Sequence, residues 1–263
     1  MDFLLLPLFS FLVGIVVGLT GIGGASLITP MLIFVFQVPS AVAISSDVVA
    51  ATLMKIVGSI KHWQQQTLDR EVVKWLAWGS VPGSLLGVGI LHLIKLKAEH
   101  NLNNITLHLL GVTILLVTVL ALVQMLLLTF FPEFQLPELP KFDLTTQLGR
   151  LKTVSVGAFL GCVVGLTSVA SGSMFALVLI AFFRLDARKL VGTDISQAAI
   201  LLLFTALGHL TLGTVDWSLV LPIWFGSVPG VLLGAKICQI APQKPLRFII
   251  YFILMMVSLK LVY

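Results

Sequence analysis

An all-α integral membrane protein built from two inverted-topology repeats is the fold this sequence predicts, on three observations. The first is composition. Of 263 residues 58% are hydrophobic and only 10% charged, with a mean hydropathy of +1.10, whereas a soluble domain carries roughly a quarter charged residues. The second is an internal repeat at one constant offset. The third is the uneven spread of lysine and arginine among the loops.

The low charge means that the outer surface is mostly apolar and faces lipid. About 20 apolar residues cross the ~30 Å hydrocarbon layer, so this length holds roughly eight to ten helical segments and no soluble domain. The opening Met1-Asp2-Phe3 lacks the basic n-region of a cleaved signal peptide, so the first apolar stretch is expected to stay in the fold. Cys162 and Cys238 are isolated in apolar stretches. Their spacing suits neither a metal site nor a disulfide framework, and small packing residues are expected. The net charge of +5 comes without a basic run or basic helical face, so no nucleic-acid partner is expected.

The repeat sets the organisation. Val17-Gly18-Leu19-Thr20 returns as Val164-Gly165-Leu166-Thr167, and Gly79-Ser80-Val81-Pro82-Gly83 returns as Gly226-Ser227-Val228-Pro229-Gly230. Between them Asp47 matches Asp194, His62 matches His209, Thr67 matches Thr214 and Asp69 matches Asp216, each pair 147 apart without a gap. The expected units are residues 1–130 and 151–263. The linker 131–150 carries Pro132, Pro137 and Pro140 among charges, the composition of an extended loop.

Each unit holds five apolar stretches in the same order: 3–19, 23–36, 41–60, 72–94 and 105–130, then 151–166, 172–183, 190–208, 217–238 and 246–262. The second stretch of each spans only roughly 18 to 21 Å as helix, which favours a re-entrant hairpin or broken helix pair over a full crossing. If the five alternate in direction, one side of the membrane receives Lys61, Arg70, Lys74, Lys141, Arg150, Lys152, Arg184, Arg188, Lys189, Lys236, Lys244 and Arg247. The other receives only Lys95, Lys97 and Lys260. Cytoplasmic loops carry the excess, which puts both termini outside. An odd number of crossings per unit inverts the second copy, and inverted repeats are a transporter architecture.

The joins before the short stretches are the sharpest candidate site. Thr20, Gly21, Gly23, Gly24 and Ser26 surround the first, and Thr167, Ser168, Ser171, Gly172 and Ser173 the second. Backbone N–H groups at a helix start, with the helix dipole, favour an anion. Irregular backbone at membrane depth survives where it lines a cavity or is packed in protein. Close helix packing is the competing reading of the glycines. Asp47 and Asp194 begin their stretches after Ser45-Ser46 and Gly192-Thr193, so they read either as helix caps or as functional intramembrane acids. Lys55 is the one lysine within a span, and Leu202 stands at its equivalent position. It suits neutralising an anion or pairing with an acid. His62 and His209 fall at helix ends, where a dipole contact is the plain reading and a proton relay the functional one. Asp69 and Asp216 read as caps of the next helix, and Pro82 and Pro229 should kink theirs.

Gly208-His209-Leu210, Gly213-x-Val215-Asp216-Trp217, Pro229-Gly230 and Leu233-Gly234, with Gly18-Leu19-Thr20-Gly21-Ile22-Gly23-Gly24 and Pro30, resemble the motifs of the TauE/SafE sulfite-exporter family, the 4-toluene sulfonate uptake permease type. The resemblance covers nearly the whole chain outside 131–150. It implies an inner-membrane permease for sulfite, sulfoacetate or related sulfur-containing or organic anions, needing neither cofactor nor metal. Proton coupling and a homo-oligomer are compatible with it. The chain departs from the pattern at Ser168 to Ser173, where a glycine run is usual, and at Lys61-His62-Trp63. A passive anion channel fits the same features. A membrane-embedded enzyme fits less well, because Ser171-Gly172-Ser173 has no histidine in its stretch and the two acids start from opposite membrane faces.

Overall fold

The computed structural model describes residues 5–20, 24–97, 99–130, 141–169, 172–183, 185, 187–237 and 243–262. Among them every regular element is helical. The first five are α1 (Leu6–Thr20), α2 (Ala25–Phe34), α3 (Ser40–Gln64), α4 (Arg70–Lys97) and α5 (Glu99–Phe130). The second five are α6 (Gln147–Thr167), α7 (Ser173–Val178, continued as a π-turn over Leu179–Phe183), α8 (Ala187–Leu212), α9 (Trp217–Ile237) and α10 (Gln243–Val262). Six of the described helices, α3, α4, α5, α6, α8 and α9, are long and apolar enough to cross a membrane. Their outward faces are apolar, with Trp78 68% and Phe225 78% exposed, a surface suited to lipid and unsuited to water. The chain is an all-α, multi-pass membrane protein.

The short second stretches do form short helices. At 10 residues α2 is about 15 Å long, half a bilayer core. Both short helices lie inside the protein: Ile28, Thr29 and Leu32 of α2 and Phe175 and Leu179 about α7 are buried.

Small residues set the closest helix contacts. A Cβ at Gly79 would come within 2.0 Å of the Val154 carbonyl oxygen, at Gly83 within 2.1 Å of Ala158 O, and at Gly161 within 2.1 Å of Ser80 O. The backbones of α4 and α6 therefore touch, as small residues allow in membranes. The same contacts recur 147 residues away between α9 and α1. A Cβ at Gly226 would come within 2.1 Å of Pro7 O, at Gly230 within 2.3 Å of Phe11 O, and at Gly14 within 2.6 Å of Ser227 O. The glycines after Pro82 and Pro229 thus serve backbone contact.

At the centre α3 packs on α8. Ser45 contacts His209, Thr52 donates to the Leu202 carbonyl at 3.1 Å, and Gly58 faces Ile195. Partners descend α8 as α3 ascends, so the two helices run antiparallel. Their loops are tied reciprocally: Asp216 N donates to Ser46 Oγ at 3.0 Å and Asp69 N to Thr193 Oγ1 at 2.9 Å. Asp69 then caps α4 by accepting from Glu71 N and Val72 N, both at 3.1 Å, and Asp216 accepts from Ser218 N at 2.8 Å. Just before each cap the chain turns through positive φ, at Gln66 (54°) and at Gly213 (66°), again 147 apart.

Residues 131–140 lie outside the described residues. The loop then enters α6 through Thr146, whose hydroxyl accepts from Gly149 N at 3.1 Å. Outside the membrane, the Thr145 hydroxyl and backbone N–H on Asp143 hold its carboxyl below the ordinary value.

Candidate functional site

The cap reading of the two central acids gives way to burial. Asp47 and Asp194 are each the eighth residue of their helices, two turns inside, and they are 0% and 8% exposed. Ser45-Ser46 and Gly192-Thr193 before them suggest a helix start, but α3 and α8 begin earlier, at Ser40 and Ala187. An acid placed so deep is expensive and points to function.

Asp47 ties α3 to α2 and to the end of α6. Its Oδ2 accepts from Thr29 Oγ1 of α2 at 2.7 Å and from Ser168 Oγ, just past α6, at 3.2 Å. Ser168 adopts a left-handed conformation (φ 61°) that ends α6, with its N–H donating to Val164 O at 2.8 Å. Asp194 of α8 faces α3, with Lys55 Nζ 4.0 Å from its Oδ2. Since α3 and α8 are antiparallel, Asp194 lies level with Lys55, about 12 Å along α3 from Asp47.

His209 is fully buried rather than lying at an open helix end. Its Nε2 lies 3.0 Å from the Gly165 carbonyl, an acceptor only, so Nε2 bears the hydrogen. The other nitrogen, Nδ1, lies 2.9 Å from Ser45 Oγ, which is 2.7 Å from Thr214 Oγ1. Gly165 O belongs to the last turn of α6, where carbonyls lack helical partners, so His209 satisfies one. His62 keeps a local contact, Nδ1 to Thr67 Oγ1 at 2.8 Å. The histidines therefore serve different surroundings despite their matching positions.

The residues about the helix breaks fare unevenly. Gly21, Gly23 and Ser171 lie outside the described residues, as do the side chains of Thr20 and Ser173. Gly24 and Gly172 sit at the starts of α2 and α7, and neither start has a side-chain cap. Ser26 is buried in the first turn of α2. The Thr167 hydroxyl turns back to Val163 O at 2.8 Å, and that of Ser168 goes to Asp47. Gly165 packs against Ser84 O, where a Cβ would come within 2.2 Å, so that glycine serves close approach.

Sequence reasoning passed over Thr29, Ser45 and Gln197. Gln197, three residues after Asp194 and fully buried, donates from Nε2 to Ser80 Oγ of α4 at 2.9 Å. A lone amide in an apolar span was the available signal. Among the described residues, the buried side-chain atoms left without a partner are Ser10 Oγ, Thr118 Oγ1, Asp47 Oδ1, Asp194 Oδ1, Ser196 Oγ and Gln197 Oε1. Four of these six lie on α3 and α8, so unpartnered polar atoms concentrate at the centre. No three histidine, cysteine or acidic side chains among the described residues come together as a metal cluster.

Comparison with known proteins meets this architecture from another side. The family model for the sulfite exporter TauE/SafE matches residues 6–261. The chain is 36% identical over 255 residues to the probable membrane transporter protein YjnA of Bacillus subtilis (strain 168), covering 97% of this chain and 98% of that one. It is 23% identical over 248 residues to YdhB of the same organism, also a probable membrane transporter protein, covering 94% and 95%. A probable membrane transporter protein of Xylella fastidiosa (strain 9a5c) is 25% identical over 225 residues, 85% of this chain and 80% of that protein. No solved structure matches. A family match running from α1 to α10, with a 36% identical relative spanning 97% of the chain, places this chain in the sulfite exporter TauE/SafE family of membrane transporters.

Proposed function

We propose that this chain is a secondary permease of the inner membrane for small anions, in the class of sulfite, sulfoacetate and related sulfur-containing or organic anions. Residues 1–130 and 151–263 act as inverted units joined by a cytoplasmic linker, with both termini outside, and alternate about a central site. The observation that carries the reading is the placement of α2 in the protein interior with a glycine, Gly24, at its start. A helix start of this kind offers N–H groups and positive dipole to an anion. Gly172 repeats the arrangement before α7.

Thr20, Gly21, Gly23, Gly24 and Ser26 with Ser171, Gly172 and Ser173 form the cargo site in this reading. Thr167 and Ser168 shape its wall, because their hydroxyls are already given to Val163 O and Asp47. Lys55, held only loosely at 4.0 Å by Asp194, supplies the positive charge in this reading. The family resemblance to sulfite exporters orders the candidates and does not choose among them.

Proteoliposomes containing the purified chain are expected to take up labelled sulfite or sulfoacetate with saturation, while empty liposomes do not. Uptake rising linearly with concentration would favour a channel. If no anion of the panel moves or stabilises the protein, the cargo assignment fails.

A further inference from the structure

Asp47 poses an electrostatic problem that its own unit does not solve. It is fully buried, and its Oδ1 has no hydrogen-bond partner. The matching acid, Asp194, has Lys55 beside it, but the position equivalent to Lys55 in the second unit is Leu202, itself 0% exposed. The two acids are therefore equivalent in sequence and unequal in charge balance. An isolated carboxylate out of water is costly unless paired or liganded to a metal ion.

The surroundings deepen the negative potential. Ser168 closes the C-terminal end of α6, and a helix C-terminus carries partial negative charge. An anion cannot answer this; a cation can. The side-chain groups hydrogen-bonded to Asp47 are both hydroxyls. Asp47 Oδ1 is unengaged, and the hydroxyls of Thr29 and Ser168 donate their hydrogens to Oδ2 while keeping lone pairs. Oxygen ligands select hard cations. One carboxylate matches one positive charge, whereas calcium sites gather several carboxylates, and no acidic cluster is present among the described residues.

We propose that Asp47, Thr29 and Ser168 form a sodium-binding site where α2, α3 and the end of α6 meet. Broken helices in membrane carriers use their C-terminal ends for such ions. Thr29 lies four residues beyond Ala25, about 6 Å along α2 from its start. Sodium bound there lowers the electrostatic cost of an anion at that start, which makes it the coupling ion. Only this coupling rests on the permease reading; the binding site stands on its own geometry.

The test reads stability and needs no cargo. Thermal unfolding of the purified protein in detergent would be followed in sodium chloride and in choline chloride at equal ionic strength. Wild type is expected to gain on the order of 5 °C at a hundredfold excess over the dissociation constant. Asp47→Asn and Thr29→Val should lose that gain. Leu202→Lys, which supplies the ammonium the second unit lacks, should lose it as well while remaining folded without sodium. Should Asp47→Asn fail to fold, Thr29→Val and direct binding of radioactive sodium to wild type carry the test. Equal unfolding in both salts, stabilisation by acidification alone, or a sodium gain that survives in Asp47→Asn would each overturn the site. Sodium binding without anion uptake would keep the site and count against the permease reading instead.

Discussion

Valine at Gly83 or Gly161 is expected to leave little correctly folded protein. At both positions even a Cβ lies 2.1 Å from a carbonyl oxygen, of Ala158 and Ser80 respectively. Those oxygens are backbone atoms of a neighbouring helix, so no side chain can swing away to make room. Overpacking a fitted interior costs about 1–3 kcal/mol and occasionally more. Here the whole α4–α6 contact would have to separate. A drop in melting temperature of roughly 5–10 °C per site is expected, with loss of a monodisperse peak in detergent chromatography. Gly14 and Gly230, which make the equivalent contacts between α1 and α9, should behave alike. Gly89→Ala is the control. Nothing lies within 4 Å of its Cβ position, and alanine gains about 1 kcal/mol of helix propensity.

The second large effect is expected at Lys55. Lys55→Leu leaves Asp194, 12% exposed, without its cation, and a destabilisation of about 0.5–3 kcal/mol is expected. Asp194→Asn leaves the lysine unmatched and should also destabilise, less severely because the Lys55 side chain is 21% exposed and Asp194 only 12%. The double replacement removes both charges and should recover most of the lost stability, since replacing a buried pair by apolar groups is often neutral. Anion uptake separates structure from function in this series. The double variant is expected to be stable and inactive, because the positive charge of Lys55 has gone. A double variant as unstable as Lys55→Leu would show that the two side chains do not compensate each other.

Much of this arrangement is legible in the sequence for physical reasons. Helices that must satisfy their own backbone in lipid declare themselves as long apolar runs, and nine of the ten expected stretches differ from helices α1 to α10 by only a few residues at their ends. The remaining one, 105–130, begins six residues into α5, whose polar first turns read as loop. The offset of 147 appears in the matched motifs because the same contacts are built twice, as at Gly79–Val154 and Gly226–Pro7. What stays hidden is pairing across the fold. Nothing near Ser168 in the chain tells that its hydroxyl goes to a carboxylate 121 residues away. Asp47 reads as a cap because short polar residues precede it, although these serve other partners: Ser45 turns to His209 and Ser46 holds Asp216 N. The asymmetry of Lys55 against Leu202 is visible in one line of sequence, but its consequence for Asp47 needs the antiparallel packing of α3 and α8.

In the proposed inverted arrangement, opposed insertion of residues 1–130 and 151–263 decides where both helix breaks fall in the bilayer. Glu71 and Ser218 are equivalent positions, each exposed in the first turn of its helix. Single cysteines at these two sites, in a background lacking Cys162 and Cys238, would be probed in intact cells with a membrane-impermeant thiol reagent. Ser218→Cys should label from outside and Glu71→Cys only after the membrane is opened. Labelling of both from the same face would contradict the inverted arrangement and remove the central site with it.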